Sequence, residues 1–167
     1  MSTHAAMALP TLRLARPGDI DAIATVWHDG WREAHLGHLP LEIEQFRQLS
    51  DFRDRVAQHL GATTVAADED NRVVGFVMIH EDEVEQLYVA APARGSGVAD
   101  SLLRHGEWLI SQRFERAWLA VIDANPRARR FYTRSGWHDH GPFHYEANAG
   151  TGTIAVPARR YEKSLHG

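Results

Sequence analysis

Two closely spaced glycines, Gly95 and Gly97, with Arg94 just ahead of them, are the residues of this chain best suited to hold a ligand. A run of strand character precedes them: Val84, Leu87, Tyr88 and Val89, closed by Pro92. After them Leu102, Leu103, Gly106, Leu109 and Ile110 recur at helical spacing. A glycine turn feeding a helix leaves the first backbone N–H groups unpaired, with the positive end of the helix dipole behind them. That arrangement binds phosphate or pyrophosphate. Glycine lets the ligand approach the backbone closely, and Arg94 adds a cation at the rim. The plain alternative for this short segment is an ordinary strand-to-helix turn.

The kind of phosphate ligand can be narrowed. A P-loop requires a longer glycine spacing ending in Gly-Lys-Ser/Thr, which the chain lacks. A dinucleotide fingerprint requires a third glycine where Asp100 stands, and its charge would lie close to a pyrophosphate. The spacing present is Arg-x-x-Gly-x-Ala, with Arg94, Gly97 and Ala99. It resembles the acyl-CoA pyrophosphate loop of the GNAT superfamily of N-acetyltransferases. A second segment strengthens the resemblance. Residues 117–122 form an apolar run that reads as a buried strand. Asn125 and Pro126 then suit an N-cap and first helical position, and Gly136 suits a helix end. Asn125, Ala128, Phe131, Tyr132, Gly136 and Trp137 together look like the second GNAT motif. The resemblance covers residues 11–141, with both motifs in the family's order, each preceded by a strand.

The resemblance implies a site. The peptide groups of Leu87 and Val89, flanking Tyr88, are expected to pair with the pantetheine arm as an added strand. The N–H groups of Gly95, Ser96, Gly97, Val98 and Ala99 are expected to hold the pyrophosphate, and Asn125 the cofactor's lower arm. Tyr132 is expected to act as general acid toward the departing thiolate; its plain alternative is a half-buried core aromatic beside Phe131. The base is open among Glu85, Glu83 and ordered water, with Glu85 set ahead of Glu83. Both carboxylates share one face of an unbroken strand, and a bulge would change the facing of either. The alternative is a solvated acidic edge of Glu81, Asp82, Glu83 and Glu85.

Composition agrees without discriminating. At 167 residues the chain reads as one domain over residues 11–167 behind a loose tail at 1–10. It has no cysteine, which removes disulfides, thiolate metal sites and cysteine nucleophiles. The N-terminus lacks the basic start and apolar core of a signal peptide, and no segment is apolar enough to span a bilayer. The expected location is the cytoplasm, with no membrane partner. A net charge of −4 gives no support to nucleic-acid binding and suits an amine substrate. The 11 histidines match no zinc pattern, so no metal is expected. His35 and His38 fall in a loop that lines the acceptor site in the family. Trp27 and Trp31 read as core. Arg127, Arg129, Arg130 and Arg134 are open between the CoA 3′-phosphate and a solvated basic face.

These residues need a frame. Residues 12–15 read as a first strand, and Asp19 as N-cap of a helix carrying Ile20, Ile23, Ala24, Trp27 and Trp31. A second helix is expected over 41–60, with an interruption near Ser50 and Asp51, then a hairpin of 63–67 and 72–80. Late strands are expected at 137–141 and 154–161. The fold class is α/β (α+β), and the resemblance implies a mixed, mostly antiparallel central sheet flanked by about four helices. The expected activity is transfer of an acetyl group from acetyl-CoA, as co-substrate, to a primary amine by direct attack in a ternary complex. A small-molecule acceptor is favoured over a protein; the segment from Trp31 to Pro40 is similar to phosphinothricin acetyltransferases. The alternative is a non-catalytic acyl-CoA sensor or interaction module. A homodimer is compatible with the family.

Overall fold

The computed structural model describes residues 9–166; most of the tail expected at 1–10 lies outside the described residues. Seven strands form one sheet: β1 (Thr11–Leu14), β2 (Thr63–Ala67), β3 (Val73–His80), β4 (Glu83–Val89), β5 (Arg116–Val121), β6 (His138–Ala149) and β7 (Gly152–Ser164). Their order is β1-β2-β3-β4-β5-β7-β6, antiparallel throughout except between β4 and β5. The helices are α1 (Ile20–His35), α2 (Leu41–Glu44), α3 (Leu49–Gln58), α4 (Val98–Ser111) and α5 (Pro126–Arg134).

The sheet separates two apolar layers. Trp27, Trp31, Phe52 and Val56 of α1 and α3 pack with Val65, Phe76 and Met78 on one face. Leu102, Leu103 and Ile110 of α4 pack with Ala66, Val77 and Leu119 on the other. Neighbouring strand residues such as Val65 and Ala66 go to opposite layers, as the pleat requires. The sheet is therefore buried on both sides where β2–β4 cross the middle.

Three sequence expectations change. The helix expected over 41–60 is interrupted, but at 45–48 and not near Ser50 and Asp51, because the Gln48 N–H is taken by the Asp51 carboxylate at 2.8 Å, which starts α3 afresh. Asp19 does not cap α1. Its carboxylate accepts from the Arg16 N–H at 2.8 Å and from the Arg13 guanidinium at 2.7 and 3.0 Å. The late strands are longer than expected. The strand expected to end at Gly141 runs on, with Gly141 (φ 101°) and Pro142 at a register shift within β6. β6 is an edge strand, where proline and a bulge are tolerated.

A second bulge matters more. In the β3–β4 ladder Ile79 pairs with Val84 and Met78 with Gln86, so Glu85 is the extra residue. Glu83 and Glu85 stay on one face with α1 and α3, since the alternation is broken only beyond Glu85. The bulge reverses the alternation downstream: Tyr88 joins the glutamates' face, while Leu87 and Val89 turn to the α4 layer. Gly30 of α1 makes room for Tyr88. A Cβ there would overlap the Tyr88 ring, which stacks on Phe76 at 6.0 Å. Gly30→Ala is expected to lower the melting temperature by about 3–8 °C, as overpacking of about 1–3 kcal/mol predicts. An unchanged melting curve would mean that Tyr88 moves freely.

A cleft between diverging strands as candidate active site

β4 and β5 touch at one register pair, Glu83 with Trp118, reinforced by the Trp118 N–H donating to the Asp82 carbonyl at 3.0 Å. Beyond that point they pair no further. The Ala90 N–H donates to Val74 of β3 at 2.8 Å. By alternation the peptide groups of Leu87 and Val89 point the other way, toward β5, where they have no strand partner among the described residues. An open strand edge inside a sheet is a template for an extended ligand. Cavities of about 630 Å³ and about 380 Å³ flank this edge, and both are lined by Leu87, Tyr88, Asn125, Ala128 and Tyr132. The two spaces therefore form the halves of one cleft.

The larger half ends at the glycine turn. Gly95 (φ 77°) and Gly97 (φ 87°) adopt left-handed backbone, and the space where each Cβ would stand is open. The Ser96 hydroxyl donates to the Ala93 carbonyl and locks the turn. Gly97 is the N-cap of α4, and Ser101 makes the helix bond back to its carbonyl at 3.0 Å. The N–H groups of Val98, Ala99 and Asp100 thus fall before the helical ladder begins. Arg94 is not a free cation: its guanidinium meets the Glu33 carboxylate of α1 at 2.5 and 2.7 Å, and Arg127 stands 4.0 Å from the same carboxylate. Arg127 and Arg134 line this half, and Arg130 does not. Arg129 is tied to Asp123 at 3.1 Å and Asp139 at 3.5 Å. Asn125 caps α5, its Oδ1 accepting from the Ala128 N–H at 3.2 Å, which leaves its amide NH2 as a donor for a ligand.

The smaller half carries the titratable groups. Glu83 is 7 % exposed and accepts from the Tyr145 hydroxyl at 2.8 Å. Burial pushes its carboxyl up to about 7; the Tyr145 bond opposes the shift and the nearby Glu85 adds to it. Glu85 lies 3.7 Å from the Arg55 guanidinium. Tyr132, partly buried and edge-on to Phe131 at 5.1 Å, lines both halves, and burial raises its pKa well above that of a free phenol. His35 lines the cavity and is held neutral, its pKa lowered to about 4 by burial, whereas His38 is exposed and outside the lining. Trp27 and Trp31 are core, 1 % and 6 % exposed.

Three residues of this half escaped the sequence reading: Arg47, Arg55 and Tyr145. None has a local signature. Arg47 looks like any helix-flanking cation, and Tyr145 lies 62 positions from the carboxylate it bonds. Among the described residues no group of three potential ligands could hold a metal ion, and no helix is long and apolar enough to cross a membrane.

Comparison with known proteins bears on the family and the fold. Residues 22–137 match the model of the acetyltransferase (GNAT) family. The chain is 28% identical over 127 residues to the uncharacterised N-acetyltransferase YuaI of Bacillus subtilis, covering 70% of this chain and 73% of that one. It is 30% identical over 87 residues to an uncharacterised N-acetyltransferase of Mycobacterium tuberculosis, spanning 53% of that protein's length and 46% of its own. The fold is similar to that of a GCN5-related N-acetyltransferase from Rhodopseudomonas palustris, with a TM-score of 0.74 at 21% identity, covering 97% of this chain and 99% of that one. A phosphinothricin acetyltransferase from Sinorhizobium meliloti, solved with acetyl-CoA, gives a TM-score of 0.70 at 20% identity, covering 95% of this chain and 89% of the other.

Proposed function

Because the chain belongs to the GNAT acetyltransferase family, we propose that it moves an acetyl group from acetyl-CoA to the primary amine of a small molecule, by direct attack in a ternary complex. The observation that carries this reading is the unpaired β4 edge running from a buried carboxylate to a glycine turn at a helix N-terminus. The residues present fit an extended pantetheine with a pyrophosphate at one end. Leu87 and Val89 offer peptide groups to the arm, the turn from Gly95 to Ala99 offers N–H donors to the phosphates, and the Asn125 amide faces the junction. Acetyl-CoA supplies an activated thioester. Arg94 serves at the rim only by leaving Glu33 or by sharing it.

The chain's own groups handle the protons. Glu83, titrating near neutrality inside the cleft, takes the proton from the attacking nitrogen. The C–N bond forms as the C–S bond breaks, and Tyr132, held protonated by burial, gives its proton to the departing sulfur. The products are the N-acetylated amine and free CoA. The proton on Glu83 returns to solvent and Tyr132 is reprotonated, closing the cycle. Burial favours Glu83 over Glu85 as base, since Glu85 already faces Arg55. Water in this role remains the competing account, and the Glu83 variant discussed below separates the two.

Tyr132→Phe tests the acid. The expected result is a fall in the acetylation rate constant of about 10-fold or more, with acetyl-CoA affinity unchanged. An unaltered rate would remove Tyr132 from the mechanism and leave it as a packing residue.

A further inference from the structure

Two arginines stand in the floor of the smaller half of the cleft, in surroundings that do not neutralise them. Arg47, between α2 and α3, is 5 % exposed. One of its terminal nitrogens donates to the carbonyls of Phe46 at 3.0 Å and Asn148 at 2.8 Å. Among the described residues no carboxylate lies within ion-pair distance of it. Arg55 of α3 lies over the Trp27 ring at 4.4 Å, and its guanidinium makes no hydrogen bond among the described residues. Its one ion-pair partner there is Glu85 at 3.7 Å. Both line the cavity that holds Glu83 and Tyr145.

This placement is costly. Guanidinium groups out of water need paired charge and filled donors to offset desolvation, and like-charged neighbours raise the cost. Burial lowers the pKa of both arginines, Arg47 to about 10 with Arg55 contributing repulsion, so both stay charged near neutrality. Glu85 offsets one of the two cations. Glu83 is only partly ionised at neutral pH. The floor is thus cationic inside a chain of net charge −4. Planar forks of unfilled N–H donors suit carboxylate and phosphorus oxyanions.

We propose that the acceptor is an amine that also bears an anionic group, a carboxylate or a phosphorus oxyanion, received by Arg47 and Arg55 while the amine faces Glu83. Glu85, the partner of Arg55, is two residues from Glu83 along β4, roughly 7 Å at strand spacing. Amine and anion are therefore separated by a short span, as in an amino acid or a short aminoalkylphosphonate. The assignment deepens the acetyltransfer reading above and rests on it.

The test uses matched acceptors with the full chain and acetyl-CoA: amino acids, their α-amides, the same amines without the carboxyl group, and aminoalkylphosphonates. Thiol release is expected to favour carboxylate or phosphonate members over the amides by about 30-fold or more in kcat/KM. Which of the two anions wins separates the two sources. Arg47→Gln and Arg55→Gln are each expected to lower that preference about 10-fold, mainly through KM, and the lysine variants to restore part of it. Acetyl-CoA affinity should be unchanged in all four. If no acceptor releases thiol, calorimetry of the N-acetylated amino acids and phosphonates takes over: binding that weakens in both glutamine variants supports the assignment, and absence of binding overturns it. A preference for amides or plain amines, or an anion preference that survives both glutamine variants, also overturns it. Failure to bind acetyl-CoA on the same sample strikes the acetyltransfer reading instead, so the two failures are distinguishable.

Discussion

Glu83→Gln is expected to lower kcat by about 100-fold or more, the usual contribution of a positioned general base. Acetyl-CoA affinity should not change, because the pyrophosphate turn and the free β4 edge are built from other residues. In the unsubstituted protein the rate should rise with pH and level off above about 7, where the buried carboxyl ionises. The glutamine variant should lose that limb. The fold is expected to survive, since a Gln carbonyl can still accept from Tyr145. Stability gives an independent reading with a fixed sign. Glu83 has a folded-state pKa raised from 4.5 to about 7. Below 4.5 both folded and unfolded states hold the proton, and the group is neutral in its effect. Between 4.5 and 7 the unfolded chain releases the proton while the folded chain keeps it, so stability falls as pH rises. Above 7 the loss is complete, on the order of 3 kcal/mol. The variant should therefore melt higher than the unsubstituted protein at pH 8 and close to it at pH 4. A full rate with an unaltered pH profile would hand the base role to water.

The second large effect concerns the other end of the cleft. Gly97→Asp is expected to weaken acetyl-CoA binding by about 100-fold or more, because hydrogen bonds to a charged group are each worth about 1.5–3 kcal/mol and a carboxylate would repel the phosphates. Gly97 is the N-cap of α4 in left-handed conformation, with open space where a side chain would stand. Asp tolerates that backbone better than most residues, so the loss would come chiefly from charge. Gly61→Asp adds the same charge at an open position outside the cleft lining, and should bind acetyl-CoA as the unsubstituted protein does. Equal affinity in both variants, measured by calorimetry, would place the phosphates elsewhere.

The contrast between the two ends explains what could be read from the sequence. The proposed phosphate end is local. Arg94 to Ala99 are consecutive, and the glycine spacing with the helical period behind it specifies turn and helix together. Asn125 and Gly136 likewise bound α5 by short-range chemistry, the first as its cap and the second by a φ of 89° just past its end. The proposed acceptor end is assembled from residues remote in sequence: Arg47 and Arg55 around α3, Glu83 on β4 and Tyr145 on β6. No spacing rule joins them, because long-range register decides which side chains meet. The bulge at Glu85 shows the same limit. Strand alternation put both glutamates on one face, but only the β3 partner reveals that Tyr88 comes round to join them. Two partners on other segments were likewise invisible in the sequence: Arg13 claims the Asp19 carboxylate expected to cap α1, and Glu33 pairs with Arg94.

The most direct measurement is calorimetric titration with acetyl-CoA, alongside NAD and ATP, followed on the same sample by thiol release with a panel of amines. Binding of acetyl-CoA alone, with thiol released in proportion to N-acetylated product, is the result predicted here. Absence of acetyl-CoA binding, or equal binding of NAD or ATP, would contradict the assignment of the cleft between β4 and β5.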